Sequence, residues 1–381
     1  MNIGPILGIM STPRANPGLF ANCQSESFAE IINIAERMNC VCFVFNPLDI
    51  DWSKNAVWGY QYSCKVIPGE WERRLFPLPS VIYNRIPNRT LENRQDIKNT
   101  VLHLKEKYRS RFFNPFFLDK LLTHTILCSN EQIKTFLPKT LKLQHPDTIT
   151  KMLHLFNSVY LKPAASSLGS EIARITKNNN RYDFIYQSLN HIRRDGSVTD
   201  CSKIMSELPL PVNTQEYLVQ QAINLAEFNG RPFDLRLLMQ KNRYGKWQKT
   251  GLAARIAGEG SISTHLFYGG SRSPAEKIIK QAAAYYQFSF AEVKKQLDKI
   301  QSLIPRTIEK AYRESFGELE MDIGIDRLGK VWFLEANSKP FRFDEELIRA
   351  KSSVRLIHYV CYLDAQIFVR PDHKSSFNPR G

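Results

Sequence analysis

The sequence predicts a small α/β domain followed by a larger region in which helices mix with hairpin-type strands. A strand–helix–strand alternation runs from Ile6 to Phe45. The aromatic run Phe112-Phe113-Asn114-Pro115-Phe116-Phe117 closes that first region, with its rings expected to pack between domains. A long hairpin pattern, Gly317 to Pro340, lies far downstream. At 381 residues, 43% hydrophobic and 23% charged, the chain is long enough for two or three domains with ordinary globular cores.

The elements follow in order. Ile6 to Met10 reads as a strand entering a polar turn, Ser11 to Gly18. Ser25 to Met38 carries helical spacing, with Phe28, Ile31, Ile32 and Ala35 on one face. Cys40 to Phe45, Trp58 to Val66 and Val81 to Arg85 read as strands. Asp119 opens a helical stretch, and a second helical segment spans Ser129 to Leu137. A turn and strand follow in "LPKTLKL", then a helix from Pro146 to Phe156 with Met152, Leu153 and Phe156 inward. A strand next ends in Lys162 and a small-residue loop, Ala164 to Ser170. Strands are expected over 171–176, 182–189, 215–222 and 232–240, the last returning through "WQKTGLAARIAG". Ala275 to Ile304 is largely helical. The hairpin follows, with a four-residue turn at Asp326-Arg327-Leu328-Gly329. A final helix, Glu345 to Phe368, packs through Leu347, Val354, Ile357, Cys361 and Phe368, and a polar, flexible tail spans 370–381.

The formal charge of +15 calls for an anionic partner. It is spread along the chain, and its densest patches, 72–74, 105–111 and 191–194, read as solvated faces and not as a nucleic-acid stripe. Tyr108, Phe112 and Phe113, beside Arg109 and Arg111, are the aromatic candidates for such a stripe. Cysteines 23, 40, 42, 64, 128, 201 and 361 form no Cys-x-x-Cys pair and read as reduced thiols. No apolar run reaches the length of a membrane span, and the start lacks a secretory signal, so a cytoplasmic location is expected.

The hairpin carries the chemistry. If Ile325 pairs with Lys330, Asp322 lies opposite Phe333, and Asp322, Glu335 and Asn337 project from one face. Met321, Ile323, Ile325, Trp332 and Leu334 then fill the other. Two carboxylates and an amide oxygen are hard ligands that suit Mg²⁺. A one-residue slip would turn Asp322 away, leaving Glu320 as the reserve ligand. The other reading is a carboxylate pair on a solvated sheet face. Lys162 sits at the end of an apolar run where its charge needs a partner. A metal site, isolated cations and a small-residue loop together are what nucleoside triphosphate chemistry uses. The loop is no P-loop, because Gly-x-x-x-x-Gly-Lys-Ser/Thr is absent.

This ordered set, from Lys120 to Pro340, resembles the ATP-grasp superfamily. "DKLLTHTIL" resembles the family's entry segment and implies that Lys120 is the first ATP-binding lysine. "VYLKPAASSLGS" implies the second lysine, Lys162, with Ser166, Ser167 and Gly169 in the mobile loop over the phosphates. "YLVQQAI" resembles the interlobe linker, implying adenine contacts from Gln220, Gln221, Ala222 and Ile223. "DLRLLMQ" and "GLAARIAGEGSISTHLFYGG" imply Arg236 and Arg255 as catalytic residues, with Asp234 nearby, and "MDIGIDRLGKVWFLEANSKP" implies metal ligation by Asp322, Glu335 and Asn337. The likeness is nearer still to the YheC/YheD-type endospore coat-associated family, through "ILGIMSTP", "SVIYNRIPNRTLENR" and the hairpin. His265 departs from the pattern, standing where related ligases carry asparagine before the Gly269-Gly270 turn.

The resemblance implies an α/β N-terminal domain (1–115) and an α+β ATP-grasp fold (116–369, lobes about 116–215 and 216–369) with nucleotide between antiparallel sheets. It implies an ATP- and Mg²⁺-dependent ligase that activates an unidentified carboxylate as an acylphosphate for attack by an amine, in a spore-associated protein with spore-coat proteins as possible partners. The competing reading is a non-catalytic or ATP-binding structural component of the spore coat. For single residues the competing readings are a structural ion pair for Arg236 and Arg255 with Asp234 as partner, a helix-surface lysine for Lys120, and a polar strand residue for His265.

Overall fold

The structure, a computed structural model, describes residues 4–13, 20, 24–63, 70–164, 171–188, 192–209, 217–265 and 268–369. The turn at 14–18, the loop at 165–170 and the tail at 370–381 lie outside the described residues.

The first sheet is built on parallel pairing. Ile6–Met10 lies between Val41–Asp51 and Val81–Asn84, and Phe112–Phe113 extends the parallel edge. Ala56–Ser63 and Glu70–Pro77 continue the other edge antiparallel. The second of these strands carries the charged patch 72–74, and its alternation is too polar to read as a strand from sequence. Helix Gln24–Arg37 buries Phe28, Ile32 and Ala35 on one face of the sheet. Helix Gln95–Tyr108, not expected from the sequence, buries Ile97, Val101, Leu104 and Tyr108 on the other. Tyr108, Phe112 and Phe113 are buried, so these rings build cores and offer no stacking platform for nucleic acid.

The second sheet is antiparallel, in the order Arg193–Val198, Arg181–Gln187, Ile172–Asn178, Ser158–Pro163, Tyr217–Gln221, Thr140–Lys142. Its core is Val159, Leu161, Ala173, Ile175 and Val219, covered by Met152 and Leu153 of helix Asp147–Leu155. The third sheet, also antiparallel, runs Ser271–Pro274, Trp247–Ile256, Arg231–Lys241, Glu318–Ile325, Val331–Asn337. Alternation sends Leu235, Leu237, Met239, Met321 and Ile323 to one face. Helices Ala275–Tyr286 and Phe290–Tyr312 cover that face with Ile278, Ile279, Val293, Leu297 and Ile304. The opposite face is charged.

The last helix, Glu346–Val369, returns to the first sheet. Leu356, Ile357, Tyr359, Val360 and Leu363 join the core of Phe28, Ile32 and Phe113. Leu347 is 86% exposed, against expectation, while its neighbour Ile348 packs against Leu238, Ala253 and Phe343; the side chain of Phe368 lies outside the described residues. The aromatic run links these cores: Phe113 stacks on Tyr83 and meets Tyr359 edge-on, while Phe116 packs against Tyr312 and Phe316. Among the described residues no helix is long and apolar enough to cross a membrane, and Cys40, Cys42, Cys128, Cys201 and Cys361 are free thiols.

Candidate functional site

The site begins with a bulge. Asp326 N–H donates to the Lys330 carbonyl at 3.0 Å, and Gly329 takes φ +78° in the tight turn between them. The ladder therefore starts at Ile325–Val331, one residue off the expected register. Val331 and Phe333, not Trp332 and Leu334, fill the core. Unbroken, that register would place Asp322 opposite Leu334. An irregularity between Asp322 and Ile323 inserts one residue, so Asp322 faces Glu335 directly and Glu320 faces Asn337. The acids thus share a face after all, through a bulge that sequence periodicity does not encode.

Neighbouring strands supply cations to that face. Arg255 donates to both Asp234 oxygens, at 2.9 and 2.6 Å, and its Nη2 stands 2.8 Å from Asp322 Oδ2. Thr264 Oγ1 also donates to Asp234, at 2.7 Å. Arg236 pairs with Glu320, so the partner expected for both arginines, Asp234, serves Arg255 alone. Glu320 is thereby engaged as an ion-pair partner. Asp322 Oδ1 is buried and accepts no hydrogen bond.

Across a cleft from this face stands the second sheet. Lys162 Nζ donates to Gln220 Oε1 at 2.8 Å, and Gln220 Nε2 donates to Thr140 Oγ1 at 3.0 Å, which fixes the lysine over three neighbouring strands. Lys120 opens helix Lys120–Cys128, whose N-cap Asp119 accepts the Leu122 N–H at 2.7 Å. Lys120 Nζ reaches Glu335 at 3.1 Å. One pocket is lined by Lys120, His124, Lys162, Gln220, Leu334 and Glu335, so it joins the helix, the second sheet and the hairpin. His124 was not singled out in the sequence, although its spacing of four from Lys120 puts it on the same helix face.

The electrostatics follow from burial. Removal from water pushes Lys162 down to about 8, with Glu335 opposing that shift and Lys120 adding to it. Burial likewise raises the Asp322 carboxyl, helped by Asp234, Glu335 and Glu320 and opposed by Arg255. Glu335 is lowered, because Lys120 and Lys162 outweigh its own desolvation. His265 is half-buried in a loop and not in a strand. Burial, then Arg255 and Arg236, push it down to about 4, so its imidazole is neutral at pH 7.

The structure therefore brings Lys120, Lys162, Gln220 and Glu335 to one cleft, with Asp322 beside Glu335 on the ladder, Arg255 against Asp322, and Arg236 on Glu320 along the same sheet face. Gln221, Ala222 and Ile223 leave the same strand as Gln220. Gln221 N–H donates to the Lys139 carbonyl at 2.8 Å and Ala222 N–H to that of Ser158 at 3.0 Å. Asn337 ends its strand with Oδ1 accepting the Lys339 N–H at 3.0 Å. Ser166, Ser167 and Gly169 lie outside the described residues. Among the described residues no three His, Cys, Asp or Glu side chains cluster to hold a metal. Asp322 and Glu335 still fit a hard cation such as Mg²⁺: they are oxygen donors on one face, and Asp322 Oδ1 lacks a donor. Asn337 or phosphate oxygens would complete the shell.

The family model for YheC/D like ATP-grasp proteins matches residues 109–363. The chain belongs to that family. It is 29% identical to the endospore coat-associated protein YheD of Bacillus subtilis (strain 168) over 98% of this chain and 82% of that one. It is 24% identical to YheC of the same organism over 94% of both chains. The crystal structure of D-cycloserine synthetase DcsG superposes with a TM-score of 0.52 at 12% identity, covering 93% of this chain and 99% of that one, which shows the shared fold. ATP-grasp membership brings with it, in general terms, ATP- and Mg²⁺-dependent joining of a carboxylate to an amine.

Proposed function

We propose that this chain is an ATP-grasp ligase that converts a carboxylic acid to its acylphosphate and passes the acyl group to an amine. One observation carries the reading: Lys120 and Lys162 converge with Glu335 and Asp322 across a single cleft between two antiparallel sheets. Repelling acids and desolvated lysines gathered in this way are costly for a scaffold, and they suit a ligand that carries both metal and phosphate.

In this reading Lys120 and Lys162 bind the phosphate chain, and the backbone at Gln220, Gln221, Ala222 and Ile223 holds the adenine. Ser166, Ser167 and Gly169 cover the phosphates and keep water away. Asp322, Glu335 and Asn337 would hold Mg²⁺, which would offset negative charge on the phosphate chain. Arg255 holds Asp322 in place and, with Arg236, sets positive charge beside the transferred phosphoryl group. The substrate carboxylate oxygen attacks the γ-phosphorus as the bond to the ADP oxygen breaks. The amine then attacks the acyl carbon and phosphate leaves. His265, neutral, donates or accepts one hydrogen bond but adds no charge. Similarity to proteins named as endospore coat-associated supports a spore association, with coat proteins as partners.

The test is ADP release from Mg·ATP with a panel of carboxylic acids, in the presence of hydroxylamine. Acid-dependent ADP and a matching hydroxamate are expected. Bound ATP with no acid-dependent ADP across the panel would turn the reading toward the coat scaffold.

A further inference from the structure

A second cavity lies away from the nucleotide cleft, where the first sheet meets the third. It is walled by helix Gln24–Arg37, the end of Val81–Asn84, the segment 340–343 and the last helix. Its apolar lining includes Phe28, Ile31, Leu238, Phe343 and Leu356. Its charged lining is three arginines, Arg85, Arg342 and Arg349, against two acids, Glu30 and Glu318.

The arginines are held but not saturated. Arg85 is 8% exposed. Its Nη2 donates to the Pro340 carbonyl at 2.7 Å, while Nη1 lies 3.6 Å from Glu318 and donates to nothing. Arg342 pairs with Glu26 and Glu30 through its two terminal nitrogens, yet its buried Nε also has no acceptor. Glu318 cannot supply the missing oxygens in full. Its Oε1 accepts the Tyr83 hydroxyl, and its Oε2 accepts Gln240 Nε2 at 3.0 Å. Burial raises its carboxyl, and Arg85, Tyr83 and Gln240 oppose that shift. Two buried guanidinium nitrogens without hydrogen-bond acceptors, on one cavity of mixed polar and apolar lining, are costly unless an oxyanion meets them. A planar carboxylate matches a guanidinium edge, and an alkyl or aryl body matches the remaining wall.

We infer that this cavity binds the carboxylate of a small apolar acid through Arg85 and Arg342. Glu318 stands four residues from Asp322 along one strand, so the site lies about 13 Å from the metal-facing acids and is separate from them. Phe343 connects the two, since it lines the cavity while the Arg236 guanidinium stacks over its ring at 4.7 Å. The inference does not depend on the ligase reading; where that reading holds, an elongated acid anchored here would extend toward the cleft.

The test titrates octanoate and 4-phenylbutyrate into the full chain by calorimetry, beside octanamide and 4-phenylbutyramide. It is repeated in Arg342→Gln and in Glu335→Ala. At least one acid is expected to bind saturably at one site, with its amide about tenfold weaker or more. Arg342→Gln should weaken the acid by a similar factor and leave Mg·ATP binding unchanged, while Glu335→Ala should leave acid binding unchanged. Absence of binding by both acids to folded wild type, or equal binding of acid and amide, would overturn the inference. Acid binding without ATP binding would overturn the ligase reading instead and leave this site standing.

Discussion

Arg255→Met removes the guanidinium that neutralises two buried acids. In the wild type it makes a two-point contact with Asp234, at 2.9 and 2.6 Å, and a further contact with Asp322 at 2.8 Å. Arg255 and Asp234 are both nearly inaccessible to water. Methionine replaces much of the stem's volume but none of its charge, so Asp234 and Asp322 are left facing each other in a poorly solvated place. Breaking a buried pair by removing one partner costs about 3–5 kcal/mol. Thr264 still donates to Asp234, and Asp322 can take up a proton, which favours the lower end of that range. With a urea slope of about 3 kcal/mol/M, the unfolding midpoint falls by about 1–2 M. Asp322→Asn added to Arg255→Met relieves one of the two stranded charges and should recover part of the loss. A drop of less than about 1 kcal/mol, with no recovery in the double variant, would mean that these groups are solvated and that the site's electrostatics were read wrongly.

Mg·ATP affinity should fall as pH rises through about 8, the value to which burial pushes Lys162; if the lysine must be charged, the fall approaches about tenfold per pH unit above it, whereas a flat profile from pH 7 to 9.5 would remove Lys162 from phosphate binding. Lys339 is a buried lysine held by Glu92 and by Asn84 Oδ1 at 3.1 Å, and it joins the hairpin's end to the first sheet. Lys339→Met should cost about 3–5 kcal/mol in urea unfolding, with Glu92→Leu in the same chain recovering much of it. Gly329→Ala forces a side chain onto φ +78° and against Phe288 Cβ and Cγ, both at 2.7 Å. It should lower the thermal midpoint by the equivalent of about 1–2 kcal/mol, and an unchanged midpoint would mean the turn is not tight.

Much of this architecture could be read in the sequence because it rests on local periodicity. The alternation of Leu319, Met321 and Ile323 with Glu320 and Asp322 marks a strand with one polar face, and helix Gln24–Arg37 declares itself through Phe28, Ile32 and Ala35. What escaped rests on long-range placement. The closure at Asp326–Lys330 moves the register by one residue, and the inserted residue between Asp322 and Ile323 moves it by one more, which returns Asp322 and Glu335 to the same face. Glu70–Pro77 is an edge strand whose side chains are mostly solvated, so it carries no alternation to detect. The return of the last helix to the first sheet joins residues more than two hundred apart in sequence, such as Phe28, Leu356 and Ile357, in one core. In the site, Lys162 was visible as an awkward charge at the end of an apolar run and the acids through the hairpin pattern, whereas Lys120 was legible only through the family resemblance. The division of Arg236 to Glu320 and Arg255 to Asp234 was not, because both arginines project from the same charged face and only the register separates them.

The central claim is that Lys120, Lys162, Asp322 and Glu335 form one site for Mg·ATP. Calorimetric titration of ATP into the full chain, with and without Mg²⁺ and beside Glu335→Ala, tests it most directly. The account predicts saturable binding that requires Mg²⁺ and is lost in the variant, while the variant keeps its fold. ATP binding that is indifferent to Mg²⁺ and to Glu335, or no binding by folded wild type, would contradict it.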